Sequence, residues 1–292
     1  MKKIYFSKNK KPSMLRRWRK GAINVLTGFS IEVFPHRTLL VAEKILATPS
    51  PSKNALVDLK FSVDELDVYG HKIKIYRAGN FSRSVVFSHG WSGSAGDFNG
   101  YYQLLLERGY NVVTLDHIAH GRSAGKTANL FVFTKAMEQV LTIEKNNSEI
   151  AGMIAHSMGA SAVINSALVQ QSTIPAVLVS PVIPFFESLY QSINDFGISE
   201  KWLNRLVDVY QTRYGRSIED IDPKLNINKL FNPLLTIQDR NDRHIPLETN
   251  KQYFSPHVAA SLHETEGLGH FRILGDQRVI SKAINFIDGT SG

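Results

Sequence analysis

The sequence predicts an α/β fold: a mostly parallel central sheet with helices on both faces, an antiparallel hairpin before it and a small helical cap within it. Three observations carry this. From residue 84 onward, short apolar runs such as Val85-Val86-Phe87 and Val112-Val113 alternate with longer stretches of helical period, the pattern of strands buried on both faces. Serine, histidine, aspartate and glycine stand directly after those runs, where parallel sheets place their chemistry. Between Pro181 and Asn232 the alternation stops, and Phe185, Leu189, Phe196, Trp202 and Leu206 recur at roughly helical spacing.

A chain of 292 residues is long enough for one large α/β core, and 43% hydrophobic with 10% aromatic residues is a globular composition. The formal net charge of +8 points toward nucleic acid only until its location is read. Residues 1–20 hold nine Lys or Arg and no acid, while the remainder carries 25 basic and 26 acidic residues. Basicity belongs to an N-terminal segment, and the domain itself has no nucleic-acid character. The absence of cysteine excludes a disulfide framework and thiolate chemistry.

Residues 1–54 form a basic helical segment and linker, with one helix over 14–34, another over 37–47, and a turn at Pro49-Ser50-Pro51-Ser52. A basic start before apolar residues has the form of a signal peptide, but Asn24, Thr27, Ser30 and Glu32 interrupt the run and no small-x-small cleavage site follows. The expectation is a cytoplasmic protein. Two readings of residues 1–47 stay open: helices that pack beside the active-site mouth, or a basic amphipathic segment resting weakly on an anionic membrane surface through residues 1–20.

Residues 55–292 are expected to form the main domain. Residues 57–63 and 71–77 alternate apolar and polar around Gly70, the signature of an edge hairpin. Strands over 84–87 and 111–115 flank a helix over 98–108, and a helix over 131–145 leads to the strand before Ser157. The strands over 176–179, 234–238 and 260–264 follow, with the cap inserted at about 182–231.

The central stretch is Ile154-Ala155-His156-Ser157-Met158-Gly159-Ala160, where a buried strand turns into a helix. A serine there sits on a tight turn with its hydroxyl lifted off the sheet, provided the residues two before and two after it are small. Those residues are Ala155 and Gly159; alanine stands where glycine is usual. After the 84–87 strand comes Ser88-His89-Gly90-Trp91-Ser92-Gly93, whose backbone N–H groups suit a developing oxyanion. Neither G-x-x-x-x-G-K nor G-x-G-x-x-G is present, which disfavours nucleotides. Asp116, His117 and His120 lack a further partner at metal-ligand spacing and read as a hydrogen-bonded turn, so neither metal nor cofactor is expected. A serine hydroxyl needs an imidazole base, and the base needs a carboxylate. Asp239 and Asp242 follow one strand; His244, His263 and His270 are the candidate bases. The chain order Ser157, Asp242, His270 is the order of one fold in particular.

With these residues the sequence resembles the α/β-hydrolase superfamily. IAHSMGA, FSHGWSG, DHIAHGRS, IQDRNDRHIP and TEGLGHFRIL are each similar to a station of that family, in order, across residues 85–287. The resemblance implies Ser157 as nucleophile, His270 as general base and acid, and Asp242, four residues before Pro246, as the orienting carboxylate, with Asp239 in reserve. It further implies oxyanion donors at the amides of Trp91 and Met158.

The function expected is hydrolysis of a small carboxylic ester bearing an apolar group, through an acyl-enzyme. Three alternatives stand beside it. An aminopeptidase or amidase would use the same triad with cap acids such as Glu187, Asp195 or Glu200 for the substrate amine. A perhydrolase is indicated by Trp91 after His-Gly. The third is a non-catalytic binding protein on the same frame.

Overall fold

A computed structural model describes residues 14–254 and 260–290. Helices α1 (Met14–Val33) and α2 (Pro35–Leu46) come first, with Pro35 pre-set for the opening turn of α2. Strands β1 (Ser62–Val68) and β2 (His71–Ala78) follow. They meet across Tyr69 and Gly70, both left-handed at φ 51° and 78°, as a tight hairpin turn requires.

The first arm of the hairpin therefore lies later than the 57–63 expected from alternation. The two-residue turn pairs Val68 with His71 and sets every rung below it, including Glu65 opposite Lys74. Residues 55–57 are held elsewhere: Asn99 donates to the Ala55 carbonyl at 2.8 Å and accepts from the Val57 amide at 3.0 Å.

The chain continues through β3 (Arg83–Ser88), α3 (Asn99–Glu107), β4 (Asn111–Asp116), α4 (Leu130–Asn147), β5 (Glu149–His156), α5 (Met158–Asn165), α6 (Ala167–Gln170) and β6 (Ala176–Val179). Next are α7 (Phe185–Phe196), α8 (Glu200–Tyr214), α9 (Ile218–Ile221) and α10 (Pro223–Asn226). The fold closes with β7 (Leu234–Asp239), α11 (Leu247–Phe254), β8 (Ala260–Thr265), α12 (Gly269–Arg272) and α13 (Gln277–Thr290).

The eight strands form one sheet in the order β1-β2-β4-β3-β5-β6-β7-β8. Only β2 runs against its neighbours. Side chains alternate between the faces, as a pleated strand demands. Val85, Phe87 and Ile154 meet Tyr102 of α3 and Ile280 of α13 on one side, while Val86, Met153 and Ala155 meet Phe133 of α4 and Val163 of α5 on the other. From β3 the chain winds to β4 on one side and returns to β5 on the other. The crossover reverses between β3 and β5, which opens a crevice at their C-terminal ends.

Helices α7 to α10 depart from the sheet between β6 and β7 and make the cap. Helices α1 and α2 join it by packing on α8. The Trp202 indole N–H donates to the Thr27 carbonyl at 2.7 Å, the Ser199 amide to Thr27 Oγ1 at 2.9 Å, and Arg213 pairs with Glu43 at 2.8 Å. The expectation placed on residues 1–13 lies outside the described residues. Among the described residues no helix is long and apolar enough to cross a membrane.

Candidate active site

Ser157 falls between β5 and α5 with φ 52° and ψ −121°, a conformation that side chains other than glycine rarely adopt. Such strain persists only where the surroundings over-determine it. Here the Ser157 amide donates to the Val179 carbonyl at 2.9 Å, and its own carbonyl starts α5 by accepting from Ser161 at 3.1 Å. Two glycines permit the crossing. A Cβ on Gly159 would lie 2.4 Å from the carbonyl oxygens of Ser88 and His89, and one on Gly90 would lie 2.8 Å from the Ser157 Cβ. The loop after β3 is thus pressed against the serine. Ala155 is fully buried between Ser88 and Leu178 in the sheet, so a methyl fits where glycine is usual.

His270, in α12 beyond β8, places Nε2 3.0 Å from Ser157 Oγ and Nδ1 2.7 Å from Asp242 Oδ2. Asp242, in the loop after β7, uses its second oxygen to accept from the His244 and Ile245 amides at 2.8 and 2.9 Å. Burial pushes the Asp242 carboxyl up, but the hydrogen bond and charge of His270, together with these two amides, outweigh it and hold the group below its ordinary range. Asp242 is therefore ionised and fixes the Nδ1–H tautomer of His270, leaving Nε2 to accept the serine proton.

Asp239 has a different task. Its carboxylate accepts from Asn241 N at 2.9 Å, Thr265 Oγ1 at 2.8 Å and Leu268 N at 3.0 Å, tying β7 to the loop that carries His270. Burial raises this carboxyl, and the amide and hydroxyl donors more than offset it, so its pKa is lowered. Of the competing histidines, His263 sits within β8 opposite Ile237. His244 lies beside His270 with ring centres 5.0 Å apart and the planes tilted by 37°.

Four further histidines are knitted into the backbone. His156 Nε2–H donates to the His270 carbonyl at 2.9 Å, and burial, reinforced by the neighbouring His270, pushes its pKa down to about 3. His89 donates from Nδ1 to the Gly90 carbonyl at 2.8 Å and accepts at Nε2 from the His117 amide at 3.0 Å. His120 donates from Nδ1 to Ile118 at 2.8 Å and accepts from the Ser92 amide at 3.0 Å; burial brings its pKa down to about 3. His117 lies 2.9 Å from Ser88 Oγ. His89, His117 and His120 hold the glycine-rich loop, with Asp116 binding the Ala95 and Arg122 amides and the Tyr76 hydroxyl. Trp91 lies in this braced loop and Met158 is the first residue of α5, whose opening amides have no acceptor within the helix.

A cavity of about 1300 Å³ opens beside Asp242, lined by Gln191 and Asp195 of α7 and by Arg240, Arg243 and Lys251. Of the acids considered for an amine substrate, Glu187 is ion-paired with Lys224, Glu200 opens α8, and Asp195 alone lines this cavity. Phe271, 56% exposed, stands edge-on to His270 with ring centres 4.9 Å apart. The clasp of His156 on the histidine loop and the tying role of Asp239 were not readable from motif spacing, since both depend on which carbonyls and amides the loops bring near.

An eight-stranded, mostly parallel sheet with these residues at the C-terminal ends of β5, β7 and β8 is the architecture of an α/β-hydrolase. The chain belongs to the family described as serine aminopeptidase, S33, whose profile matches residues 79–255. It is 26% identical over 196 residues to the uncharacterized protein YqkD of Bacillus subtilis, a match spanning 64% of each chain. Its fold is similar to that of the Pyrococcus furiosus esterase Pf2001, with TM-score 0.63 and 22% identity over 85% of this chain and 99% of that one. It is also similar to Est1E from Butyrivibrio proteoclasticus, with TM-score 0.58 and 17% identity over 77% of this chain and 97% of that one.

Proposed function

We propose that the protein hydrolyses carboxylic esters through an acyl-enzyme. The observation that carries this is the unbroken hydrogen-bonded line from Ser157 Oγ through His270 to Asp242, with Asp242 held ionised at its far end. Ser157 attacks the ester carbonyl as His270 Nε2 takes its proton, and the amides of Trp91 and Met158 receive the oxyanion. His270 then delivers the proton to the departing alcohol, and a water activated by His270 releases the acid. Phe271, exposed beside His270, supplies an apolar wall for one substituent of the substrate.

The test is turnover of p-nitrophenyl esters of increasing acyl length by the wild type and by Ser157→Ala, with fluorophosphonate labelling in parallel. Labelling at Ser157 and loss of all but a residue of turnover in the variant are expected. A fully active variant would overturn the proposal by removing Ser157 from the chemistry, and an unlabelled serine without turnover would leave a binding protein on a hydrolase frame.

A second reading is favoured by the family's description and by Asp195 in the cavity beside Asp242: cleavage of an amide next to a free amine. An aminoacyl p-nitroanilide turned over faster than the matching ester, and slowed by Asp195→Asn, would establish it.

A further inference from the structure

Helix α1 turns Thr27, Gly28 and Ile31 toward the protein and most of its large apolar side chains outward. Thr27 and Gly28 face the cap, where Thr27 receives Trp202 and Ser199, and a Cβ on Gly28 would already touch Ser199 at 3.5 Å. Thr38 of α2 donates to the Ser30 carbonyl at 2.8 Å, locking the two helices together. On the opposite side Trp18 is 70%, Leu26 68% and Phe29 63% exposed, and Leu40 of α2 extends the surface at 56%. Of the large apolar side chains left exposed among the described residues, ten fall between Met14 and Ile45 and the other eight are scattered from Val57 to Phe271. A concentration of this kind marks a surface that something covers.

Charge identifies the occupant. Residues 14–46 hold six Lys or Arg against two acids. Both acids are tied to cations of the cap, Glu32 to Lys201 at 2.7 Å and Glu43 to Arg213 at 2.8 Å. Arg17, Arg19, Arg37 and Lys44 are exposed around the apolar surface, and the sequence before residue 14 adds five lysines with no acid. A second copy meeting this face would bring arginines against arginines. An anionic lipid bilayer matches both properties, offering hydrocarbon beneath a negative headgroup layer.

We infer that the exposed face of α1 and α2 docks the protein on an anionic lipid surface. The hairpin lies in the plane of the interface, with Trp18, Leu26 and Phe29 entering the acyl boundary and the arginines level with the headgroups. Because α1 and α2 are bonded to α8, docking holds the cap against the lipid. This does not depend on which bond Ser157 cleaves.

The experiment is sedimentation of the full chain with vesicles of phosphatidylcholine and of phosphatidylcholine mixed with phosphatidylserine. Binding to the mixed vesicles is expected, weakened by added salt and by omission of phosphatidylserine. Trp18→Ser combined with Phe29→Ser should lower it roughly tenfold or more. Arg17→Glu with Arg19→Glu should weaken binding to the mixed vesicles and reduce its dependence on salt, and a cooperative thermal transition in each variant shows that it folds. Absence of sedimentation with the mixed vesicles would overturn the inference, as would equal binding by the serine variant. So would a dimer in solution that the serine variant dissociates, since the face would then belong to a second copy.

Discussion

His156 and His270 are joined by a 2.9 Å hydrogen bond from the ring of the first to the backbone carbonyl of the second. The residue immediately before Ser157 thus holds the loop that carries His270, and both ends of the Ser157–His270 hydrogen bond are positioned by one piece of structure. Removing the ring leaves a buried carbonyl without its donor, which costs about 1–3 kcal/mol. His156→Phe should show this loss in urea unfolding. It should also lower kcat while KM changes little, because the ring positions the base.

Asp239, the last residue of β7, and Asp242, three residues on in the loop, do different things. Asp242→Asn should reduce kcat by about 10⁴, as loss of the orienting carboxylate does in the triad template. Asp239→Asn should instead lower thermal stability and reduce kcat far less, since its oxygens hold Thr265 and Leu268. Kinetics and melting curves of the two variants, side by side, test the division. An Asp239→Asn enzyme as inactive as Asp242→Asn would reverse it.

Stability should fall in acid through buried histidines as well as through carboxylates. His120 and His156, each pushed down from the ordinary 6.5 to about 3, stay neutral in the folded protein while the unfolded chain takes up protons. The unfolded state binds more protons between these values, so stability is complete above pH 6.5 and is lost as the pH falls toward 3. Each histidine contributes a slope of about 1.4 kcal/mol per pH unit. Urea midpoints between pH 6 and 4 should show it, and His156→Gln should flatten the slope by about one histidine's share. Asp242, whose folded value is depressed, contributes stability that is present above its unfolded value and lost only as the pH falls through the lower folded one.

The two small residues flanking Ser157 are not equivalent. Gly159→Ala drives a methyl to 2.4 Å from two backbone carbonyls and should cut the rate of fluorophosphonate labelling at least about 100-fold, or prevent folding altogether. Ala155→Gly replaces a methyl the sheet already accepts. It should cost roughly 0.5–1 kcal/mol of stability and leave kcat unchanged.

Much of this was legible in the sequence because the sheet is buried on both faces: apolar runs such as Val85-Val86-Phe87 have no other use, and the loops after them carry the polar residues. The first hairpin arm was misplaced because alternation continues through residues 57–63. Pairing is decided by the left-handed backbone of Tyr69 and Gly70, which no period reports. Docking of α1 on the cap was hidden for a related reason. An amphipathic pattern shows which side is apolar, and here the inward contacts run through Thr27, Ser30 and the indole of Trp202. Between Asp239 and Asp242 composition offered no distinction; the carboxylate that reaches His270 is set by the turn that also gives it the His244 and Ile245 amides.

The bond from Trp202 to Thr27 spans 175 residues of sequence and fastens the chain's opening helices to its inserted cap. The outer tier of the molecule is therefore a single cassette assembled from two distant segments. Exchanged between relatives as a pair, those segments would carry over substrate choice and surface preference together, while either one transplanted alone would arrive without the scaffold it leans on.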